Sequence, residues 1–519
     1  MNTTEFLSIS SAIVPDRTAI ISEGKKFTFG QLNERVNRLA NSMAKMGVQK
    51  GDRVAIVHTN CNEYVEAYFA TAKLGGIFVP LNFRAKADEL SYMVGYAEAA
   101  ALFVGDRYID LVKSVRNTLG SVRHIVSIGS KQPDMHYYDD LIASGSPDEV
   151  TTELDDNDTT ILMFTAGTTG RPKGVPLIHN AFGIYMLENV ATPDPDVSEV
   201  NLLTVPLYHV AGVQAMLAGV YGGRTLAMMK QFETKDWLNT VQKEKANRAM
   251  LVPTMLKRVI DDPDFKKYNI SSLKVVTYGA APMPFEVIKK AIEVMPDVQF
   301  INAFGQTETA STILMLGPED HRIVGTPEEK AKKLKRLQSS IGKPMADVQV
   351  RIIDEAGKEV ARGETGEIVA KGPRVMGGYW KDPEKTAKTI SKEGWLHTGD
   401  MGYMDEDGYV FLAGRGDDMI IRGGENISPE EVEHVLQSHP CIEECAVIGV
   451  ADEEWGQQPR AVVVLKKGMK ATAEDIMEHC RQNLSSFKRP RSCIFIDELP
   501  RNQMGKILKK ELRAKFGKD

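Results

Sequence analysis

Up to about residue 410 the chain alternates amphipathic helical segments with short apolar segments, and this alternation limits the folds open to it. Apolar residues at helical spacing predict helices, and short apolar runs predict buried strands. The segments predicted in this way are the helices Phe29 to Met46 and Glu63 to Leu74 and the strands Arg53 to His58 and Ile77 to Pro80. Because helices that alternate with strands cover largely parallel sheets, the sequence predicts a layered α/β fold.

The sequence TAGTTGRPKG at residues 165–174 follows the apolar segment Ile161 to Phe164 and predicts a loop that binds phosphate. Its glycines let the backbone approach an anion, its three threonines supply hydroxyl donors, and Lys173 supplies a positive charge. A Walker A loop is disfavoured, because Pro172 stands where that motif has its second glycine, and Gly174 stands where the motif has the serine or threonine that helps to hold magnesium. The length and order of the string also disfavour an ordinary surface loop.

Two further predicted strands lead directly into loops that contain glycine. They are Lys274 to Tyr278 and Gln299 to Asn302. Ligands of parallel α/β sheets bind at the carboxyl ends of the strands. We therefore expect both loops to border the same cleft as the phosphate loop.

The length of 519 residues exceeds what one hydrophobic core usually serves, so at least two domains are expected. Between Val348 and Ala370 the pattern changes to β structure, and a compact segment of about a hundred residues ends the chain. There Ser428, Pro429 and Glu431 have the spacing of an N-cap, a first-turn proline and a capping-box partner. The expected division is a large domain at 1–414, a hinge at 415–418 and a small, mobile α+β domain at 419–519.

Composition and charge disfavour several classes of protein. The net charge of −6 and the pI of 6.0 provide no basic field for nucleic acid. Five cysteines in so long a chain form no disulfide framework, and Cys441 and Cys445 have only His439 nearby at zinc-ligand spacing. No apolar run approaches a membrane span, and the first residues do not resemble a signal peptide. The expectation is a cytoplasmic enzyme without nucleic-acid partners or integral membrane contact.

Seven further strings accompany the phosphate loop in a fixed order. They are PLYH at 206–209, YGAAP at 278–282, NAFGQTE at 302–308, SIGKP at 340–344, GWLHTGD at 394–400, GRGDD at 414–418 and PRNQMGKI at 500–507. Each alone is a weak signal. Together they resemble the adenylate-forming superfamily of acyl-CoA synthetases, luciferases and peptide-synthetase adenylation domains, and the resemblance covers essentially the whole chain.

This resemblance implies a two-step reaction that uses ATP, Mg²⁺ and coenzyme A. A carboxylate attacks the α-phosphorus of ATP, pyrophosphate leaves and an acyl adenylate forms. The thiol of CoA then attacks the activated carbonyl, and AMP leaves. Because no side-chain nucleophile is required, catalysis depends on positioning and on stabilising negative charge. The expected protein is an AMP-forming acid–thiol ligase, with a carboxylic acid, ATP and CoA as its partners.

The resemblance also assigns residues to the nucleotide. Thr307 would bond the α-phosphate, Glu308 would hold Mg²⁺, and Asp400 and Arg415 would bind the ribose. A solvated acid or a turn residue is the alternative for the two carboxylates. The expected adenine site comprises Gly279, Ala280, Ala281, Asn302, Ala303, Phe304 and Gly305, and the expected β- and γ-phosphate site comprises Thr165, Ala166, Gly167, Thr168, Thr169, Gly170 and Lys173.

The remaining assignments concern the small domain and the acyl pocket. Lys506 would bring its ammonium to the carboxylate and the α-phosphate during adenylation, whereas composition alone favours a surface lysine. Asp417 matches the hinge, and after rotation Gly423 and Gly424 would line the tunnel of the pantetheine arm. His209 would gate the acyl pocket, with a satisfied core histidine as the alternative.

Two positions depart from the family pattern. Ala166 replaces the usual serine of the phosphate loop, and Phe304 stands where relatives often carry tyrosine. Each change removes a hydroxyl but no charged group, so activity should survive.

Other functions on the same scaffold remain as alternatives. An amino-acid adenylation domain would need an acid after His209, where residues 210–213 are uncharged. An adenylation enzyme that passes its acyl group to a carrier protein would have the same motifs, and so would a luciferase-like oxygenase. Val210, Val213 and Tyr278 indicate an apolar pocket, which predicts a monocarboxylic acid with an aliphatic, alicyclic or aromatic tail. The family resemblance adds the expectation of a role in fatty acid metabolism. A homodimer is one oligomeric state open to the protein.

Overall fold

The computed structural model of the protein describes residues 1–165, 171–422, 425–452, 455–501 and 506–517. Its helices are α1 Thr4–Ile13, α2 Phe29–Lys45, α3 Asn62–Lys73, α4 Ala87–Ala97, α5 Ile109–Val115, α6 Tyr138–Ser144, α7 His179–Asn189, α8 Val210–Tyr221, α9 Thr234–Glu244, α10 Pro253–Ile260, α11 Phe285–Val294, α12 Pro318–His321, α13 Pro327–Ser339, α14 Pro383–Thr389, α15 Pro429–Gln437, α16 Ala473–Asn483 and α17 Lys509–Phe516. Short 3-10 turns include Thr307–Thr309 and Gly416–Asp418.

The strands belong to three sheets. They are β1 Thr18–Ser22, β2 Lys25–Thr28, β3 Arg53–Val57, β4 Ile77–Pro80, β5 Ala99–Gly105, β6 His124–Ile128, β7 His136–Tyr137, β8 Thr159–Thr165, β9 Lys173–Ile178, β10 Val200–Leu203, β11 Thr225–Met228, β12 Arg248–Leu251, β13 Val275–Gly279, β14 Gln299–Gln306, β15 Ser311–Leu316, β16 Ser340–Pro344, β17 Gln349–Ile353, β18 Gly366–Lys371, β19 Leu396–Met404, β20 Val410–Arg415, β21 Ile420–Arg422, β22 Glu425–Ile427, β23 Ile442–Asp452, β24 Gly456–Leu465 and β25 Ser492–Phe495.

The first sheet has the strand order β7-β6-β5-β3-β4-β8-β9 and is parallel except for the β8/β9 hairpin. Every residue of β5 is buried, as expected of a strand with a helical layer on each face. The hairpin at the sheet edge brackets the predicted phosphate loop.

The second sheet changes from parallel to antiparallel pairing at β14. Its order is β17-β18-β19-β20-β16-β15-β14-β13-β12-β10-β11-β1-β2, and the parallel part includes β10 to β14. From β14 onward the neighbours pair antiparallel, which accounts for the predicted β pattern after Val348. The predicted strand Gln299 to Asn302 runs on to Gln306, because its later residues pair with β15.

Helix α3 packs inside the molecule, and eleven of its residues are buried. The buried carboxylate of Glu66 on this helix is paired with Arg35 at 2.9 Å and accepts from Tyr138 at 2.5 Å and from Asn62 at 2.9 Å. Burial of an unpaired carboxylate would be costly, so this network allows a charge inside the core.

The third sheet has the order β22-β21-β24-β23, with β25 beside β24. Two hydrophobic clusters in this part contain only residues from Ile420 onward. Helix α15 begins at the predicted N-cap and proline: Ser428 Oγ accepts from the backbone N–H of Glu431, and Pro429 follows in the first turn. The predicted capping box is not completed by the Glu431 side chain. The carboxylate of Glu431 accepts from Lys488 Nζ at 2.6 and 2.7 Å, so it connects α15 to the segment before β25.

Candidate active site

The β8/β9 hairpin places the two ends of the predicted phosphate loop side by side, with Thr165 paired to Lys173. Ala166, Gly167, Thr168, Thr169 and Gly170 lie outside the described residues. Lys173 Nζ lies 5.3 Å from the centre of the Tyr379 ring. Burial lowers the pKa of Lys173, and the neighbouring Lys385 lowers it further.

Tyr379 connects this hairpin to Glu308, for which the family resemblance predicts a role as a Mg²⁺ ligand. The Tyr379 hydroxyl donates to Glu308 Oε1 at 2.9 Å, and Met376 N donates to the backbone carbonyl of Glu308 at 2.8 Å. Burial and the Glu308 carboxylate raise the pKa of Tyr379, which therefore remains a donor. Our sequence interpretation missed Tyr379, although the string GGYW after residue 376 was a usable signal.

The predicted adenine site lies where β13 and β14 end together. Gly279 pairs with Ala303, and a Cβ on Gly279 would lie only 2.2 Å from the Ala303 carbonyl oxygen. Ala280 follows with a positive φ of 66°. Glycine at 279 thus allows the close strand approach, and the chain then turns sharply into the predicted wall, which continues at Ala281.

Further along β14 the structure places the other adenine candidates and a tight contact. Asn302 Nδ2 donates to the Ser340 carbonyl at 3.4 Å, and Phe304 packs against the cluster under β15 to β20. A Cβ on Gly305 would lie 1.7 Å from the Ser311 carbonyl oxygen. These contacts fix the strand immediately before the turn that carries Thr307 and Glu308.

The predicted ribose ligands form an ion pair across neighbouring strands. Asp400 on β19 faces Arg415 on β20, with Nε and Oδ1 2.8 Å apart. Asp400 is 6% exposed, and burial raises its pKa although Arg415 opposes the rise. Gln306 Nε2 donates to the Thr398 carbonyl at 3.0 Å and lies 3.4 Å from Asp400 Oδ2. Gln306 was another residue the sequence interpretation did not assign, although it lies within the NAFGQTE string.

Lys506 lies close to this pair. The residue is exposed, but surrounding protein lowers the pKa of its ammonium, and Arg415 lowers it further, while Asp400, Asp418 and Glu430 act in the opposite direction. The segment between β25 and α17 therefore places a cation near the ion pair of Asp400 and Arg415. A 2.6 Å ion pair between Lys257 on α10 and Glu443 on β23 also joins the large domain to the segment that forms the third sheet.

His209 is the N-cap residue of α8, although its side chain makes no capping hydrogen bond. The imidazole ring packs against Tyr208, with the ring centres 4.1 Å apart. Burial lowers its pKa to about 3, so the imidazole is neutral near pH 7. Its Nε2 is buried and has no hydrogen-bond partner within the described residues. A satisfied core histidine, the alternative considered from sequence, does not fit this atom.

The structure does not describe the predicted pantetheine glycines or the predicted hinge side chain. Gly423 and Gly424 are outside the described residues, and so is the side chain of Asp417.

Among the described residues, no group of three His, Cys, Asp or Glu side chains could hold a metal ion. In the same residues, no helix combines the length and apolar character that crossing a bilayer requires.

Comparison with known proteins decides the family. The family model for AMP-binding enzymes matches residues 9–380, and the model for the AMP-binding enzyme C-terminal domain matches residues 431–506. The chain belongs to the AMP-binding enzyme family. The predicted superfamily and its fold, a large α/β domain with a small C-terminal domain, are thereby confirmed.

Relatives in this family are similar over nearly their full length. A feruloyl-CoA synthase of Amycolatopsis sp is 34% identical over 504 residues, which are 97% of this chain and 96% of that protein. The fatty acid–[acyl-carrier-protein] ligase ScoC of Streptomyces coeruleorubidus is 33% identical, covering 97% and 94%. The anthranilate CoA ligase AuaEII, crystallised with anthranoyl-AMP, is 27% identical with a TM-score of 0.90, covering 100% and 97%.

These similarities confirm the predicted reaction class. The protein is an AMP-forming acid–thiol ligase of the acyl-CoA ligase type. The cations Lys173 and Arg415 and the hydrogen-bond donors of Gln306 and Tyr379 suit a reaction in which negative charge develops on bound oxygens.

Proposed function

We propose that this ligase converts a monocarboxylic acid with an aliphatic, alicyclic or aromatic tail into its CoA thioester through an acyl adenylate. The position of Lys506 beside the Asp400–Arg415 pair is the observation that carries the proposal. A cation there can reach oxygens that gain charge as the carboxylate attacks phosphorus, and such prepositioned charge lowers the barrier.

The nucleotide would lie along the end of β14. Asp400 and Arg415 would bind the ribose, and Gln306 would hold the Asp400 carboxylate in place. Adenine would lie between the Gly279–Ala281 turn and Phe304, while Thr307 would bond the α-phosphate. The loop from Thr165 to Lys173 would hold the β- and γ-phosphates.

Glu308 fits a Mg²⁺ ligand. Tyr379 binds one carboxylate oxygen, Oε1, which orients the group and leaves Oε2 for a cation. Mg²⁺ is usually held by one or two carboxylates together with substrate phosphates and water, so a single protein carboxylate is sufficient. When bound, the cation would neutralise charge on the phosphates.

The two reaction steps would use two orientations of the small domain. We propose domains at 1–414 and 419–519 joined by a hinge at 415–418, where the backbone forms the short turn Gly416–Asp418. Rotation would withdraw Lys506 and bring the segment with Gly423 and Gly424 to the pantetheine arm. The ion pair from Lys257 to Glu443 would break in this rotation.

The acyl pocket would start beside His209. The first turn of α8 offers the uncharged residues Val210 to Val213, with no carboxylate for the ammonium group of an amino acid. The neutral His209 Nε2 has a free hydrogen-bonding position that a substrate oxygen or the thiol could use. The names of feruloyl-CoA synthase and anthranilate CoA ligase add weight to aromatic acids, and the name ScoC keeps a carrier protein as the alternative acceptor.

Three broader proposals rest on the sequence and the family. The ligase would act in the cytoplasm, its acids would include those of fatty acid metabolism, and a homodimer would be its assembly. Subcellular fractionation and light scattering test the location and the assembly.

An acid-dependent screen tests the main proposal. Pyrophosphate release would be measured with short, medium, long and aromatic acids, with and without CoA. We expect release with monocarboxylic acids and formation of the CoA thioester. Pyrophosphate release that requires an amino acid and ignores CoA would refute the proposed acid class and CoA ligase activity. A thioester formed only on a carrier protein would refute CoA as the acceptor.

A further inference from the structure

A cationic cleft of about 220 Å³ opens beside the start of β9. Arg171, Lys173 and Lys385 line it together with Tyr379 and Asp382. Three cations therefore face one cavity that has one carboxylate in its lining. Clefts lined by one sign of charge concentrate ligands of the opposite sign.

The two ammonium groups in this cleft are close neighbours. Lys385 lowers the pKa of Lys173 through charge repulsion, after the larger effect of burial. Glu308 and Asp382 act in the opposite direction but do not reverse the lowering. Placing two like charges together costs free energy in the protein alone, and a bound polyanion would relieve that cost.

The backbone holds Lys385 firmly at this place. The Asp382 side chain accepts from Lys385 N at 2.9 Å and caps α14. Thr386 Oγ1 accepts from Tyr379 N at 2.9 Å and donates to the Asp382 carbonyl at 2.8 Å. Trp380 N donates to the Gly174 carbonyl at 2.8 Å, which fastens the whole segment to the hairpin that carries Lys173. Lys385 is thus positioned by the same hairpin as the phosphate loop.

We infer that Lys385 is a further pyrophosphate-binding residue, whose ammonium joins Lys173 and Arg171 on the β- and γ-phosphates. The inference rests on the proposed function. When the bond between the α-phosphorus and its bridging oxygen breaks, the electron pair goes to the departing pyrophosphate. Lys385 would bind this added negative charge and so favour departure, without taking part in proton transfer.

The test compares Lys385→Gln with Lys388→Gln. Lys388 is on the same helix, carries the same charge and is exposed, so it controls for the general loss of a cation near α14. Product inhibition by pyrophosphate and pyrophosphate–ATP exchange would be measured at saturating acid. We expect the inhibition constant for pyrophosphate to rise about tenfold in Lys385→Gln, typical for loss of a charged hydrogen bond. Lys388→Gln should stay within about twofold.

Two further measurements complete the test. Lys385→Arg should restore most of the pyrophosphate affinity, because it restores the charge. Conversion of a supplied acyl adenylate to the thioester should be unchanged in all variants, since pyrophosphate has then left. Equal inhibition constants for Lys385→Gln and Lys388→Gln would overturn the inference. Absence of acid-dependent exchange in the unaltered enzyme would instead contradict the proposed function.

Discussion

Replacing Arg374 by methionine should destabilise the protein through a buried charge left without its partner. Arg374 is 1% exposed, and its Nη2 donates to Asp347 Oδ1 at 2.9 Å while Nε also contacts that carboxylate. Nη1 donates to the Thr312 carbonyl on β15 at 2.5 Å. Two residues later Met376 holds the Glu308 carbonyl, so the pair anchors the segment that leads to Tyr379.

The size of the effect follows from the burial of both partners. The Arg374 and Asp347 side chains are 0% and 3% exposed, so water cannot replace the lost guanidinium. Removing one partner of such a pair costs about 3–5 kcal/mol, a large part of the roughly 5–15 kcal/mol that stabilises a typical protein. Changing Asp347 to leucine as well removes the unpaired charge. The double variant should lose only about 1–2 kcal/mol, mainly because the Thr312 carbonyl loses a donor.

Chemical denaturation followed by tryptophan fluorescence would measure the free energy of unfolding. Steady-state kinetics would measure the KM for ATP. Arg116→Met is a suitable control, because Arg116 and Asp134 form a 2.9 Å pair with side chains 42% and 49% exposed. Its cost should stay within about 1 kcal/mol. The reasoning fails if Arg374→Met costs no more than Arg116→Met, or if the double variant is less stable than the single one.

Three further predictions concern the site and the pH range. Lys506→Ala should slow adenylation about a hundredfold or more yet spare thioester formation from a supplied acyl adenylate. Lys467→Ala is the control for loss of a lysine elsewhere in the small domain. Equal loss of both steps in Lys506→Ala would contradict the role of Lys506. Gly279→Ala should raise the KM for ATP, because the added Cβ would meet the Ala303 carbonyl oxygen at 2.2 Å; unchanged kinetics would contradict the close approach. Burial lowers the pKa of His179, His209 and His321 to about 4, 3 and 4. Unfolded histidines bind protons near pH 6.5, so stability should fall as pH drops from about 6.5 toward 4, and a rise in the denaturation midpoint there would contradict this.

Local pattern was enough to predict several helices and strands. The predicted strand Ile77 to Pro80 has its observed bounds, and the helix from Phe29 ends one residue before the predicted Met46. Helix α2 also shows why such boundaries can be predicted, since Thr28 and Gln31 form a capping box that fixes its start. These features depend on neighbours in sequence, which a reader of the chain can see.

Contacts between distant segments could not be predicted in this way. Tyr379 meets Lys173 across about two hundred residues, and Gln306 reaches Asp400 across 94 residues. Nothing in the local spacing of these residues specifies the sheet order that brings β8, β14 and β19 to one region. The family resemblance supplied the expected roles of the site residues, but it did not point to Lys385, because the surrounding string carries no motif for phosphate.

The same geometry suits our proposal that one region serves both reaction steps. Asp400 and Gln306 are held by paired strands of the large sheet, so the nucleotide position should stay fixed in the rotation that we propose for the small domain. The pair from Lys257 to Glu443 is about one-third exposed at each end, and such pairs contribute about 1 kcal/mol or less. Breaking it therefore opposes rotation only weakly. In the rotation that we propose, a nucleotide site fixed in the large sheet would let Lys506 leave after adenylation without loss of the bound acyl adenylate.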